Sequence, residues 1–135
     1  MTVPDWFTGM HSSLDEKLGV ELLEVTPTRA KCRCPVEGNT QPFGLWHGGA
    51  SCVLAETLAS LAAAAEVGPE GAVTGVDLNA THLRSARTGW VTGVATAIRI
   101  GGTLATYDVT ITDDDGAQIC AARITVYLRR AKQAT

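Results

Sequence analysis

One run of small and apolar residues, from Gly49 to Ala65, constrains the fold of this chain more than any other segment. The run has helical length, and Glu56 near its middle is the only Asp, Glu, Lys or Arg between Glu37 and Glu66. A membrane span needs roughly 20 apolar residues, and an acidic side chain at its centre is costly in lipid. The run is therefore predicted to be a helix buried inside a soluble protein.

Patterns of period two on both sides of this helix predict strands. Before it, a short capped helix from His11 to Leu18 precedes strands at residues 20–25 and 29–34, and after it come strands at residues 72–85, 90–100, 103–112 and 118–128. Gly101-Gly102 and the run 113–116, Asp-Asp-Asp-Gly, are hairpin signals, so the last three strands are predicted to be antiparallel neighbours.

This order of elements predicts an α+β fold in which an antiparallel sheet wraps around one long central helix. The helix has few charges on any side, so the sheet would bury one side and another surface must cover the other. A second copy of the chain is the obvious candidate for that cover.

The composition limits the class of protein. At 135 residues without an obvious linker, the chain is expected to form one domain over residues 1–135, with an N-terminal segment 1–18 and a solubilising basic tail 129–135. A net charge of -3 argues against non-specific nucleic-acid binding.

The N-terminus lacks the features of a secretory signal, so a cytoplasmic location with reduced thiols is expected. Cys32 and Cys34 would share one strand face and are expected to be buried thiols rather than zinc ligands.

The predicted start of the central helix lies in the sequence Leu45-Trp46-His47-Gly48-Gly49. A helix start has free backbone N–H groups and favours negative charge, and Gly48 has no side chain to block its N–H. A carbonyl oxygen that becomes an oxyanion could be stabilised there, although a glycine can also serve only a tight turn. Glu56 is either a partly exposed surface residue or, with Ser60 one turn later, a carboxylate that holds a water for attack.

Spacing adds a constraint on any shared chemistry. Gly48 and Glu56 are eight residues apart, which is roughly 12 Å along an α-helix. One reacting carbonyl cannot contact both groups of the same helix. If both serve one reaction centre, they come from different chains, and each dimer then has two sites at the subunit interface.

With these residues the chain resembles the hot-dog-fold acyl-CoA thioesterases. The branch is that of the 4-hydroxybenzoyl-CoA and phenylacetic-acid-pathway enzymes with a mid-helix Glu or Asp. Within this branch the chain resembles the enterobactin-pathway proofreading thioesterases and the 1,4-dihydroxy-2-naphthoyl-CoA thioesterases. The resemblance runs from about Gly19 to Leu128 and rests on three motifs, Gln41-Pro42-Phe43-Gly44-Leu45-Trp46-His47-Gly48-Gly49-Ala50-Ser51, Leu54-Ala55-Glu56-Thr57-Leu58 and Leu78-Asn79-Ala80-Thr81-His82.

The resemblance implies a hot-dog fold and a role for each matching residue. Glu56 matches the catalytic carboxylate, acting as nucleophile or general base, and Gly48 matches the glycine whose N–H polarises the thioester carbonyl. Gln41 and His47 match loop residues that line the site and orient the thioester, although His47 could simply be satisfied by backbone at the helix start. Ser60 matches the hydroxyl that helps hold the water. The implied enzyme is a homo-oligomer, usually a dimer of dimers, and needs no metal or cofactor beyond the CoA of its substrate.

The sequence indicates the residues that would contact CoA less clearly than the catalytic ones. Gly49, His82, Arg84 and Arg87 are assigned to this end of the substrate, but charges on a strand can also simply face solvent. Similar enzymes carry a glycine followed by a basic residue where this chain has Gly101-Gly102.

Several functional alternatives stay open at the level of sequence. An aromatic acyl-CoA is the substrate that the resemblance implies, and an acyl or aryl carrier protein could replace CoA. The chain could also be a non-catalytic acyl-CoA-binding module, or a hot-dog hydratase or dehydratase that acts on acyl thioesters.

Overall fold

The computed structural model describes residues 3–132, so Met1, Thr2 and the last three residues of the expected basic tail lie outside the described part of the chain. The chain begins with a 3₁₀ helix at Asp5–Gly9. The remaining elements in chain order are α1 (Ser13–Leu18), β1 (Glu21–Val25), β2 (Arg29–Pro35), α2 (Gly48–Val67), β3 (Ala72–His82), β4 (Trp90–Ile100), β5 (Leu104–Thr112) and β6 (Gln118–Arg129).

The six strands form one sheet in the order β1-β2-β4-β5-β6-β3, and every neighbouring pair is antiparallel. Helix α2 packs on one face of this sheet and contacts all six strands. Its length and composition would suit a membrane span, but here it is the core helix. The predicted α+β fold is therefore confirmed. The residues of α2 in the main core are mostly alanine and leucine, at Ala50, Leu54, Ala55, Leu58, Ala59, Ala62 and Ala63.

The opposite side of α2 is covered in part by the chain itself. Phe7 of the N-terminal 3₁₀ helix is buried against Ala64, and Leu61 packs on the same cluster. Thr57 donates a hydrogen bond to Asp15 of α1 at 2.8 Å. The N-terminal segment therefore supplies the cover over the C-terminal half of α2, where the sequence had suggested only a second copy.

Local capping and turn chemistry explain most element boundaries. The Ser12 hydroxyl accepts a hydrogen bond from Asp15 N at 3.3 Å, and α1 stops at Gly19, which has a φ of 81° that suits glycine. Strand β3 ends at His82 rather than at residue 85. The N–H groups of Leu83 and Arg84 both turn to the Ile119 carbonyl, at 2.8 and 3.4 Å, so the regular ladder stops there.

The basic tail is not merely solubilising. Arg130 forms an ion pair with Glu66 of α2 at 2.9 Å and donates to the carbonyls of Gly101 and Gly102 at 2.9 and 3.1 Å. These contacts join the end of the sheet to the end of the helix and to the β4–β5 turn.

Cys32 and Cys34 lie on the inward face of β2 and are fully buried, which confirms their predicted shared face. Burial raises the pKa of the Cys32 thiol to about 12 and that of Cys34 to about 11. Both thiols therefore remain protonated at neutral pH.

Replacing Tyr107 by Phe is expected to lower the free energy of unfolding by about 1 kcal/mol at pH 7. The buried Tyr107 hydroxyl donates to the Pro27 carbonyl at 2.8 Å, and the variant leaves that carbonyl without its donor. Urea denaturation measures the difference. The exposed ring of Tyr127 provides the control, because Tyr127→Phe removes no internal hydrogen bond among the described residues. A Tyr107→Phe protein as stable as wild type would contradict the expectation.

The difference in stability between wild type and Tyr107→Phe is expected to depend on pH. Burial, with the Glu66 carboxylate adding to it, raises the pKa of Tyr107 to about 12. A raised pKa means that stability is complete below the unfolded-state value of about 10 and is lost as pH rises towards 12. The stability gap between wild type and Tyr107→Phe should therefore narrow between pH 10 and pH 12.

Candidate active site

The start of α2 presents one unused backbone donor. His47 is the N-cap, and its Nδ1 accepts a hydrogen bond from Gly49 N at 2.8 Å. The His47 carbonyl accepts from Ala50 N at 3.0 Å and from Ser51 N at 3.4 Å. Among the first four N–H groups of the helix, only that of Gly48 has no acceptor within the described chain. This donor lies at the positive end of a 20-residue helix.

The loop before α2 is held by its own side chains. The Gln41 side-chain oxygen accepts hydrogen bonds from Phe43 N at 2.6 Å and from Leu45 N at 3.3 Å. Trp46 is buried, and its indole N–H donates to the Ser51 hydroxyl at 2.7 Å. These contacts fix the loop and anchor the first turn of α2 in the core. The Gln41 amide nitrogen has no partner among the described residues and remains available as a donor.

Glu56 lies in the middle of α2 and is half-buried. Its carboxylate sits against Gly75 of β3, so closely that a methyl group added to Gly75 would overlap it. Gly75 faces the helix, because its partner on β6 is the buried Val126, and a break in the strand register follows between Gly75 and Asp77. No described residue forms an ion pair or a hydrogen bond with the Glu56 carboxylate.

Gly75 was not predicted from the sequence as part of the site. A glycine inside a strand often marks a bulge or the close approach of another group, and this signal was available. The sequence alone could not show that the approaching group is the Glu56 carboxylate.

Gly48, Cys52, Glu56 and Ser60 follow one another at intervals of four residues and form a single stripe along α2. The last three are half-buried. The predicted neighbourhood of Glu56 and Ser60 is therefore present, with the hydroxyl one helical turn beyond the carboxylate. Within one chain, Gly48 lies two turns away from Glu56 in the other direction.

The four residues assigned to CoA occupy different surroundings. A Cβ atom added to Gly48 would lie 2.8 Å from His82 Nε2 and 2.9 Å from His82 Cε1, so the imidazole rests directly on the helix start. Arg84 is exposed. Arg87 lines a cleft with Glu37, Thr40 and Gly44 of the loop that leads to α2. Gly49 is exposed, but its N–H is already engaged by His47.

A mostly apolar cleft of about 240 Å³ lies beside the Glu56 stripe. Thr57 and Leu61, the residues that follow Glu56 and Ser60, form its floor on α2. Its other walls come from the N-terminal segment and from the start of β1, at Phe7, Met10, His11, Ser12, Asp15, Glu16, Val20 and Leu22. Within residues 3–132, no group of three or more His, Cys, Asp or Glu side chains is arranged to hold a metal ion.

Comparison with known proteins identifies the family. A family model described as the thioesterase superfamily matches residues 43–120, which include the whole of α2 and most of the sheet. The chain belongs to the thioesterase superfamily. Two curated thioesterases are similar over most of the chain. The 1,4-dihydroxy-2-naphthoyl-CoA hydrolase of Listeria monocytogenes is 38% identical over 121 residues, which are 89% of this chain and 98% of that protein.

The proofreading thioesterase EntH of Cronobacter turicensis is 35% identical over 113 residues, which are 83% of this chain and 82% of that protein. A crystal structure of a thioesterase from Haemophilus influenzae superposes with a TM-score of 0.88 at 31% identity, and the match covers 98% of this chain and 94% of that one. The hot-dog fold and the thioesterase family implied by the resemblance are thus confirmed. This member of the superfamily is a thioester hydrolase.

Replacing Gly75 by Ala is expected to reduce kcat for thioester hydrolysis roughly 10- to 100-fold, because the methyl group would displace the Glu56 carboxylate. Stability should change little, since the displaced group is the end of a flexible side chain. Steady-state kinetics and melting temperature measure the two effects. Gly9→Ala is the matched control, because a methyl group there meets no atom within 4 Å. Wild-type kcat in the Gly75→Ala enzyme would show that the position of this carboxylate is unimportant.

Proposed function

We propose that this thioesterase hydrolyses an acyl-CoA, with an aromatic acyl group, to the free acid and CoA. The observation that carries this proposal is the free Gly48 N–H at the start of a long helix, a donor that can stabilise the oxyanion of an attacked carbonyl. The substrate named for two similar proteins, 1,4-dihydroxy-2-naphthoyl-CoA, supports the aromatic acyl-CoA class. Hydrolysis is favoured over a binding module or a hydratase because those relatives are hydrolases.

The proposed chemistry needs a nucleophile and an oxyanion donor. Glu56 either attacks the thioester carbonyl carbon or removes a proton from a water that Ser60 helps to hold. In both routes an electron pair moves onto the carbonyl oxygen, where the Gly48 N–H donates to it. When the carbonyl reforms, the C–S bond breaks and CoA leaves as the thiolate. If Glu56 is the nucleophile, water then hydrolyses the acyl–Glu56 anhydride, which releases the free acid and restores the carboxylate. If Glu56 is the base, the free acid forms directly and the proton that Glu56 took passes to the leaving thiolate. The Gln41 amide nitrogen, which has no partner in the described chain, can donate to the same thioester.

The spacing of the two groups supports a site shared by two chains. Gly48 and Glu56 belong to one regular helix and are separated by eight residues, or roughly 12 Å. One thioester carbonyl cannot touch both. The enzyme is therefore proposed to act as a homodimer, or as a dimer of dimers, in which Gly48 of one subunit faces Glu56 of the other.

Strand β3 is the surface that supports this assembly. Within residues 3–132 it is an edge strand of 11 residues that pairs only with β6, so no described residue engages the backbone donors and acceptors on its other side. Val76 on this strand is 56% exposed. Long, exposed edge strands are prone to pair with another chain, and pairing of β3 with a second copy would satisfy these groups. Glu56 would then lie close to the dimer interface through its contact with Gly75.

Other residues are proposed to bind the two ends of the substrate, the acyl group and the CoA. The apolar cleft beside Thr57 and Leu61 has suitable walls for the acyl group. Arg84 and Arg87 are exposed cations on the segment after β3, and they can meet CoA phosphates or an acidic carrier protein. The ring of His47 is fixed as the helix cap. By holding the loop in place, it is proposed to orient the thioester. The four free cysteines, Cys32, Cys34, Cys52 and Cys120, support a cytoplasmic location.

Proline and alanine at position 48 should separate the role of the Gly48 N–H from that of its missing side chain. Both substitutions add a Cβ atom against His82, but only proline removes the N–H. Proline is well tolerated at the first position of a helix. We expect the kcat of Gly48→Pro to lie about 10²- to 10³-fold below that of Gly48→Ala. The assay follows release of the CoA thiol from an aryl-CoA, and equal kcat values would remove Gly48 from the mechanism.

Glu56→Gln is expected to abolish most turnover while acyl-CoA binding is retained, because the amide cannot act as a base or nucleophile. Mixing this chain with a Gly48→Pro chain then tests the shared site. Half of the dimers would be mixed, and each would hold one intact site, so about a quarter of wild-type activity should return. Unfolding and refolding the two chains together allows exchange, and each variant refolded alone is the control. Absence of any rescue would mean that both groups act within one chain.

A further inference from the structure

His82 occupies a defined position at the end of β3. Its register partner on β6 is Cys120, which is fully buried, so the His82 side chain leaves the sheet on the face that packs on α2. The close approach of its Nε2 and Cε1 atoms to the helix start places one edge of the ring over Gly48. The same contact explains why position 48 needs a glycine, since a methyl group would lie only 2.8 Å from Nε2.

Two imidazoles, those of His47 and His82, therefore lie at the start of α2, and they differ in their hydrogen bonds. The Nδ1 atom of His47 accepts from Gly49 N and is used up as the helix cap. The His82 ring has no hydrogen-bond partner among residues 3–132. His82 is thus the histidine with a free nitrogen beside the unused Gly48 N–H.

We propose that His82 is a catalytic residue that donates a hydrogen bond from Nε2–H to the thioester carbonyl oxygen, together with the Gly48 N–H of the same chain. This inference rests on the proposed function of the site. No proton is transferred in the step. As the nucleophile adds, the electron pair on oxygen strengthens both hydrogen bonds, and when the C–S bond breaks the pair returns to the carbonyl and His82 keeps its proton.

This role differs from the CoA-phosphate contact that the sequence suggested for His82. The imidazole touches the helix start, where the carbonyl would bind, while Arg87 lines a cleft that includes neither His82 nor Gly48. A phosphate contact would act on the CoA portion only. A contact with the carbonyl oxygen would act on every thioester, whatever its leaving group.

The test compares His82→Ala and His82→Gln on two substrates with the same acyl group, one attached to CoA and one to N-acetylcysteamine, which lacks the CoA phosphates. We expect His82→Ala to lower kcat about 10²-fold on both substrates, with a smaller change in KM. His82→Gln should recover much of that loss, because its amide can donate from a similar position. Thr81→Ala, the neighbouring residue on the opposite face of β3, should keep wild-type kcat.

Several results would overturn the inference. Wild-type kcat in His82→Ala, a loss confined to the CoA substrate, or no recovery in His82→Gln would each exclude a hydrogen bond to the carbonyl. Melting temperatures check folding, and little change is expected because His82 is exposed. Failure of the proposed function is distinguishable, since the wild-type enzyme would then release no thiol from either substrate, or Glu56→Gln would remain active.

Discussion

The close packing of α2 on the sheet is the interaction on which the rest of the structure depends. The buried face of the helix is mostly alanine, with Leu54 and Leu58 at its centre, so helix and sheet approach closely along the whole length of α2. Glycine on the facing strand leaves room for the helix side chains. A methyl group added to Gly93 would lie 2.8 Å from Leu58 Cδ1. Because the helix is held so firmly, its first turn and the Glu56 carboxylate have fixed positions relative to β3.

Two other glycines lie at close contacts between α2 and β3. Gly75 on the strand makes room for a carboxylate from the helix, and Gly48 on the helix makes room for an imidazole from the strand. In one contact the glycine belongs to the strand and the side chain to the helix, and in the other the glycine belongs to the helix and the side chain to the strand. The two contacts lie at different positions along α2 and β3. A helix dipole alone offers a weak and general preference for anions. Here the cap contacts of His47 use the neighbouring N–H groups and leave one donor facing the site.

The sequence predicted the architecture well because its signals were local. The alternation in the strands, the two hairpin turns and the charge-poor run placed the elements to within a few residues, and Ser12 and Gly19 marked the limits of α1. Contacts between distant segments were less accessible. The approach of Glu56 to Gly75 and of His82 to Gly48 depends on strand register and helix position, which residue types alone do not encode. The cover provided by Phe7 and the contacts of Arg130 were missed for the same reason.

The placement of Gly75 also affects how the sheet moves. A glycine in a strand interior weakens the strand, because the unfolded chain gains more freedom there and the folded chain has no side chain to pack. Gly75 lies beside a break in register on an edge strand that has neighbours on one side only. Local opening of the sheet should therefore be easiest beside the Glu56 carboxylate. In the proposed dimer, pairing with a second chain would add hydrogen bonds to this strand and would stiffen the sheet beside Glu56.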